Sequence, residues 1–156
     1  MKPKTYVETS IVSYVTAWQS RDLVQAAHQQ VTREWWASRG LFELFASQFV
    51  LDEASAGDRD AAASRLAALA EAAILEVTED AIILAEQLIA GGGLPPQARI
   101  DALHVAMAAV HGMDYLLTWN CRHIANATLR GRIEELCRAA GFEPPIICTP
   151  LELPRE

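Results

Sequence analysis

Long apolar runs are absent from this sequence: no stretch approaches the length of a membrane span, and no basic leader with an apolar core and a small-residue cleavage site opens the chain. A cytoplasmic location is the simplest expectation. Cysteine is scarce, and Cys121, Cys137 and Cys148 leave an odd thiol under any pairing, which suits a reducing compartment over a disulfide scaffold. Positive charge is in deficit and rests almost wholly on arginine. With a formal net charge of -7, the chain lacks the basic footprint of a general nucleic-acid coat. The deficit is local. Glu43 to Glu86 holds ten acidic and two basic residues, whereas Arg99 to Arg138 holds five basic against four acidic. An arginine-lined groove therefore stays open, as does an acidic surface that attracts metal cations or a basic partner.

Several catalytic signatures are also missing. No Gly-x-Gly-x-x-Gly follows a strand pattern, because the Gly91-Gly92-Gly93 run follows a helical pattern and leads into Pro95-Pro96. No Gly-Lys-Ser/Thr, Cys-x-x-Cys or His-Glu-x-x-His occurs. Cys121-Arg122-His123 puts two zinc-capable side chains together without a second pair. Ser10, His104 and Asp101 could be drawn as a triad, but no nucleophile-elbow glycines surround Ser10.

What is present is alternation of strand and helix patterns over 156 residues with 51% apolar content, enough for one core. Short apolar runs at Lys4–Val7, Phe42–Ala46, Ile74–Val77, Tyr115–Leu117 and Ile146–Cys148 read as strands. Between them, helical patterns cover Ile11–Trp18 (with Thr9 and Ser10 hydroxyls available as caps), Asp22–Ser38, a segment capped by Ser47 and ended by Gly57, Asp58–Ala72, Thr78–Ile89 and Ala125–Arg138. The central helix begins at Arg99, with Ile100, Leu103, Met107 and Val110 at helical spacing and Gly112 as its stop. This order predicts an α/β fold: a three-layer α/β/α sandwich around a four- to five-stranded, mainly parallel sheet. One domain is expected over residues 1–150, with a short tail at 151–156. The four tryptophans, Trp18, Trp35, Trp36 and Trp119, are expected to serve packing, with an interface role open to Trp35-Trp36.

Glu8, Glu53, Asp101 and Asn120 each border an apolar element that could hold them rigid. Clustered carboxylates repel one another unless protonated or neutralised by cations, and oxygen donors of this kind suit Mg²⁺ or Mn²⁺. Other roles remain open at each position: helix solvation at Glu53, with Asp52 as the ligand under a different helical phase; a helix cap at Asp101; a turn or cap at Asn120. His104 reads as a packed or supporting histidine.

Tyr6-Val-Glu-Thr-Ser10, Val50-Leu-Asp-Glu-Ala54, Asp101-Ala-Leu-His-Val-Ala-Met-Ala108 and Asp114-Tyr-Leu-Leu-Thr-Trp-Asn-Cys-Arg-His-Ile124 together resemble a PIN domain of the VapC-like toxin kind, over essentially the whole chain. The resemblance implies a Mg²⁺- or Mn²⁺-dependent endoribonuclease, the toxin of a toxin–antitoxin pair. Glu8, Glu53, Asp101 and Asn120 match the positions around its metal site, and Ser10 and Thr118 match supporting hydroxyls. It also implies a homodimer and a small antitoxin partner, which would carry any DNA binding, since the chain has no DNA-binding motif. Two positions depart from the pattern. Glu8 is a methylene longer than the usual aspartate, and Asn120 is neutral, so the cluster carries up to -3. A catalytically silent PIN-fold module that dimerises or binds RNA or protein is the alternative, and a hydrolase of another phosphoester is a third.

Overall fold

The computed structural model describes residues Met1 to Arg155; Glu156, the end of the tail expected at 151–156, lies outside the described residues. The chain runs β1 (Lys4–Val7), α1 (Thr9–Thr16), α2 (Leu23–Ala37), β2 (Glu43–Ser47), α3 (Gln48–Ala54), α4 (Arg59–Leu69), β3 (Ala73–Leu75), α5 (Glu79–Ala90), α6 (Arg99–Val110), β4 (Tyr115–Leu117), α7 (Ala127–Ala139) and β5 (Ile146–Cys148). Short 3-10 turns follow α2 and β5. All five strands are parallel, in the order β3-β2-β1-β4-β5. Consecutive residues Thr5, Tyr6 and Val7 are all buried, as are Leu116 and Leu117. Successive strand side chains point to opposite faces, so both faces of the sheet are covered. One group of helices, α1 to α4, packs together, and α5 packs on α6 and α7. The three-layer sandwich and parallel sheet are as the sequence predicts.

The chain builds outward from β1 toward β3, then returns to place β4 on the other side of β1. That reversal leaves a crevice beyond the carboxyl ends of β1 and β4, the usual ligand position in an open parallel sheet. Register is set by Tyr6 opposite Leu116 and Val7 opposite Leu117, and the ladder continues as the Glu8 amide donates to Leu117 O at 3.1 Å.

Helix α6 differs from its sequence pattern. Ile100, at the start of the expected apolar stripe, is 43% exposed, while all eight residues from Ala102 to Ala109 are buried. Four alanines let neighbours approach from every side, so the helix has no solvent face and its periodicity is uninformative. Gly112 does end it, at φ +70°. Strand β3 lies earlier than Ile74–Val77, at a sheet edge; Ile74 within it and Val77 beyond it are both exposed. Among the tryptophans, Trp35 and Trp119 are buried, but Trp18 is 95% exposed and packs nothing. It stands in the α1–α2 connection, ahead of the exposed Leu23 and Val24.

The cysteines are all free. Burial pushes the Cys137 thiol up to about 11 and the Cys148 thiol up to about 12, while Cys121 is exposed. A thiol-specific reagent at neutral pH should therefore modify Cys121 rapidly and the other two only after denaturation. Fast modification of all three in the folded protein would contradict this packing.

Candidate metal centre

Glu8 follows β1 directly and is the N-cap of α1, its carboxylate accepting from the Ser10 amide at 3.1 Å. The Thr9 and Ser10 hydroxyls are thus not the caps expected from sequence. Glu8 is long enough to turn back over the first helical turn and take that role itself. Its Oε1 also accepts from Ser10 Oγ and from Thr118 Oγ1, both at 2.5 Å. Each hydroxyl in turn accepts a backbone amide: Ser10 Oγ that of Trp119 at 2.8 Å, and Thr118 Oγ1 that of Asn120 at 2.9 Å. Ser10 and Thr118 therefore tie the end of β1 to the end of β4 through the Glu8 carboxylate. Glu8 is buried, and these three donors offset the cost of removing its charge from water.

Glu53 reaches the same place from α3. Its Oε1 accepts from Thr9 Oγ1 at 2.7 Å and meets His104 Nε2 at 2.6 Å. The neighbouring Asp52 is exposed and takes a hydrogen bond from Gln48, which places Glu53 and not Asp52 at the crevice. Partial burial alone would raise the Glu53 carboxyl, but the His104 hydrogen bond and charge, with the Thr9 hydroxyl, outweigh it and hold the carboxyl below the usual glutamate value. Its share of stability is complete above the ordinary glutamate range and fades as pH falls through the lowered value.

Glu8, Glu53 and His104 offer ligand atoms that all lie within 4.8 Å of one another. His104 is the member that sequence reasoning did not assign. It sits one helical turn beyond Asp101, and that i, i+3 spacing was the available signal.

Asp101 is not in this tight group. Its Oδ2 meets His123 Nδ1 at 2.9 Å, with both side chains about four-fifths buried. It does not cap α6, whose N-cap is Ala98 with no side-chain cap bond. Asn120 follows β4, and its Oδ1 accepts from the His123 amide at 3.1 Å, fixing the turn that brings His123 to Asp101. With Asp101 held by His123 and Ser10 by Glu8, no Ser10–His104–Asp101 triad forms.

Among the described residues, no arginine or lysine forms an ion pair with Glu8, Glu53 or Asp101. Hydroxyls, a backbone amide and imidazoles support these carboxylates in place of lysine or arginine. No hydrogen bond among the described residues reaches Glu53 Oε2 or Asp101 Oδ1. Hard oxygen donors with free lone pairs and no lysine or arginine partner fit a divalent cation such as Mg²⁺ or Mn²⁺.

No family model and no curated protein matches the chain. Among solved structures, it is similar to a chain in the crystal structure of VapBC2 from Rickettsia felis bound to a DNA fragment from their promoter. The similarity covers 94% of this chain and 98% of that one, with a TM-score of 0.56 and 16% identity. The fold is PIN-like. At that identity the likeness is one of fold. Within the PIN-like frame, the crevice beyond β1 and β4 is where Glu8 and Glu53 meet. No helix among the described residues is long and apolar enough to cross a membrane.

Proposed function

We propose that the protein is a metal-dependent endoribonuclease that hydrolyses RNA phosphodiester bonds, the toxin of a toxin–antitoxin pair in the cytoplasm. The observation that carries this is the meeting of Glu8, Glu53 and His104 within 4.8 Å at the reversal point of the parallel sheet, with no arginine or lysine among the described residues paired to the carboxylates. Glu8, Glu53 and Asp101 would hold Mg²⁺ or Mn²⁺, with the Asn120 carbonyl oxygen as a neutral ligand or an anchor for water. When bound, the cation supplies Lewis-acid polarisation of the phosphate and lowers the pKa of an attacking water.

The chain's own residues set the geometry. Ser10 and Thr118 clamp Glu8, Thr9 and His104 clamp Glu53, and His123 holds Asp101. Such supporting contacts fix ligand orientation and so determine affinity. Arg122 has an exposed guanidinium suited to a substrate phosphate, whereas Arg132 is engaged by Gly91 O and Glu135. Arg130 is partly buried beside β5 and fits that role less well.

An antitoxin partner is supported by the fold likeness to VapBC2, a complex bound to promoter DNA. The acidic stretch from Glu43 to Glu86 suits an arginine-bearing segment of such a partner. A homodimer belongs to the same proposal, to be read by light scattering.

Calorimetric titration with Mn²⁺, paired with thermal shift, tests the site directly. Binding at roughly sub-millimolar to millimolar strength is expected from a small set of oxygen ligands. Absence of both heat and thermal shift would favour the catalytically silent module. Cleavage of phosphomonoesters with RNA left intact would favour the other phosphoesterase.

A further inference from the structure

We propose that Tyr6 and His104 are positioning residues: a buried hydrogen-bond chain, Ser47–Tyr6–His104–Glu53, fixes the His104 ring and aims the Glu53 carboxylate at the cation, in a role that rests on the cation site proposed above. Ser47 Oγ and Tyr6 Oη lie 2.7 Å apart, Tyr6 Oη and His104 Nδ1 2.7 Å, and His104 Nε2 and Glu53 Oε1 2.6 Å. Ser47, Tyr6 and His104 are all at 0% exposure, so the chain meets solvent only at Glu53.

The direction of donation follows from chemistry. Glu53, as a carboxylate, can only accept, so His104 must carry its proton on Nε2. Tyr6 stays a neutral phenol, because burial drives its pKa well above the ordinary value. Tyr6 Oη then bridges His104 Nδ1 and Ser47 Oγ, donating to one and accepting from the other. Every link is satisfied, the condition under which a buried polar network rigidifies its surroundings.

The chain also joins the elements that bear the acidic residues. Tyr6 is on β1, two residues before Glu8; Ser47 ends β2 immediately ahead of α3, which carries Glu53; and His104 is one turn beyond Asp101 on α6. Ser47 stands at the N-cap of α3 yet makes no cap hydrogen bond, its hydroxyl going to Tyr6 instead. At the far end of the hydrogen-bond chain, His104 and Thr9 both occupy Glu53 Oε1, which leaves Oε2 to face a ligand. A histidine that merely satisfied its own polarity in the core would not need this alignment.

Tyr6→Phe removes one hydroxyl and keeps the ring. His104→Leu removes both nitrogens, and His104→Gln keeps a donor near the Nε2 position. Long-range ¹⁵N–¹H spectra of the cation-free protein should show His104 protonated on Nε2, both in the wild type and in Tyr6→Phe, because Glu53 accepts there in each. An Nδ1–H tautomer in the wild type would overturn the proposal. Mn²⁺ affinity by calorimetry should fall at least about 10-fold in His104→Leu and several-fold in Tyr6→Phe, the scale of supporting-residue losses at metal sites, with His104→Gln closer to wild type. Unchanged affinity in folded Tyr6→Phe and His104→Leu would also overturn it. If Tyr6→Phe does not fold, the Gln-against-Leu comparison decides. Wild-type protein that binds no Mn²⁺ would sink the nuclease proposal and the aiming role together, while the tautomer spectrum still decides whether the chain exists.

Discussion

Asp101→Asn should leave the protein folded, weaken Mn²⁺ binding and lower RNA cleavage by at least about 100-fold, the scale expected when a central electrostatic group is lost. The fold should survive because Asp101 does not cap α6, and an asparagine carbonyl can still accept from His123 Nδ1. What disappears is one negative charge of the proposed cation site. Circular dichroism, calorimetry and a gel-based cleavage assay on the same preparation separate folding, binding and chemistry. Cleavage at the wild-type rate in Asp101→Asn would remove Asp101 from the site.

Glu8→Ala should be costly in two ways. It strands the Ser10 amide and hydroxyl and the Thr118 hydroxyl, and it removes the α1 cap. A lost cap costs about 1 kcal/mol and a stranded buried donor about 1–3 kcal/mol, offset in part by relief of repulsion with Glu53. A net loss of about 2 kcal/mol corresponds to a Tm lower by roughly 4–8 °C for a domain of this size. Cleavage should fall as far as in Asp101→Asn. Glu8→Asp is the informative partner, since aspartate is a good N-cap residue and one methylene shorter. It should keep most of the stability and preserve or raise cleavage. Loss of cleavage in Glu8→Asp equal to that in Glu8→Ala would mean that the extra methylene is required, through its reach to Thr118.

The strands near the site were legible because their residues mark them without tertiary help. Lys4–Val7, Tyr115–Leu117 and Ile146–Cys148 coincide with the short apolar runs, each bounded by polar or turn residues. Their parallel pairing followed from the alternation with helices. Helix α6 was legible as a helix but not in its burial, because a helix surrounded on all sides carries no stripe to detect. The ambiguity between Asp52 and Glu53 had a similar origin: α3 is 7 residues long, too short for periodicity to set a phase.

Glu8 and Glu53 were candidates from their places in the chain, but the bonds that hold them were not readable. Thr118 lies 110 residues from Glu8 in sequence, and Tyr6 lies 98 from His104. Local rules assigned Ser47 to a helix cap and His104 to the core, and each was incomplete because a tertiary partner competes for the polar atom. The exposure of Trp18 shows the same limit from the other side, since apolar character alone does not say that a residue finds a core.

Cleavage of structured RNA in Mn²⁺ against EDTA, with protein freed of any antitoxin and of host nuclease, is the most direct measurement on the proposed site of Glu8, Glu53, Asp101 and Asn120. Wild-type protein should cut in Mn²⁺ and stop in EDTA, and Asp101→Asn should cut at least about 100-fold more slowly. Cation binding with RNA left intact, or cutting that persists in EDTA, would contradict a metal-dependent ribonuclease at this site.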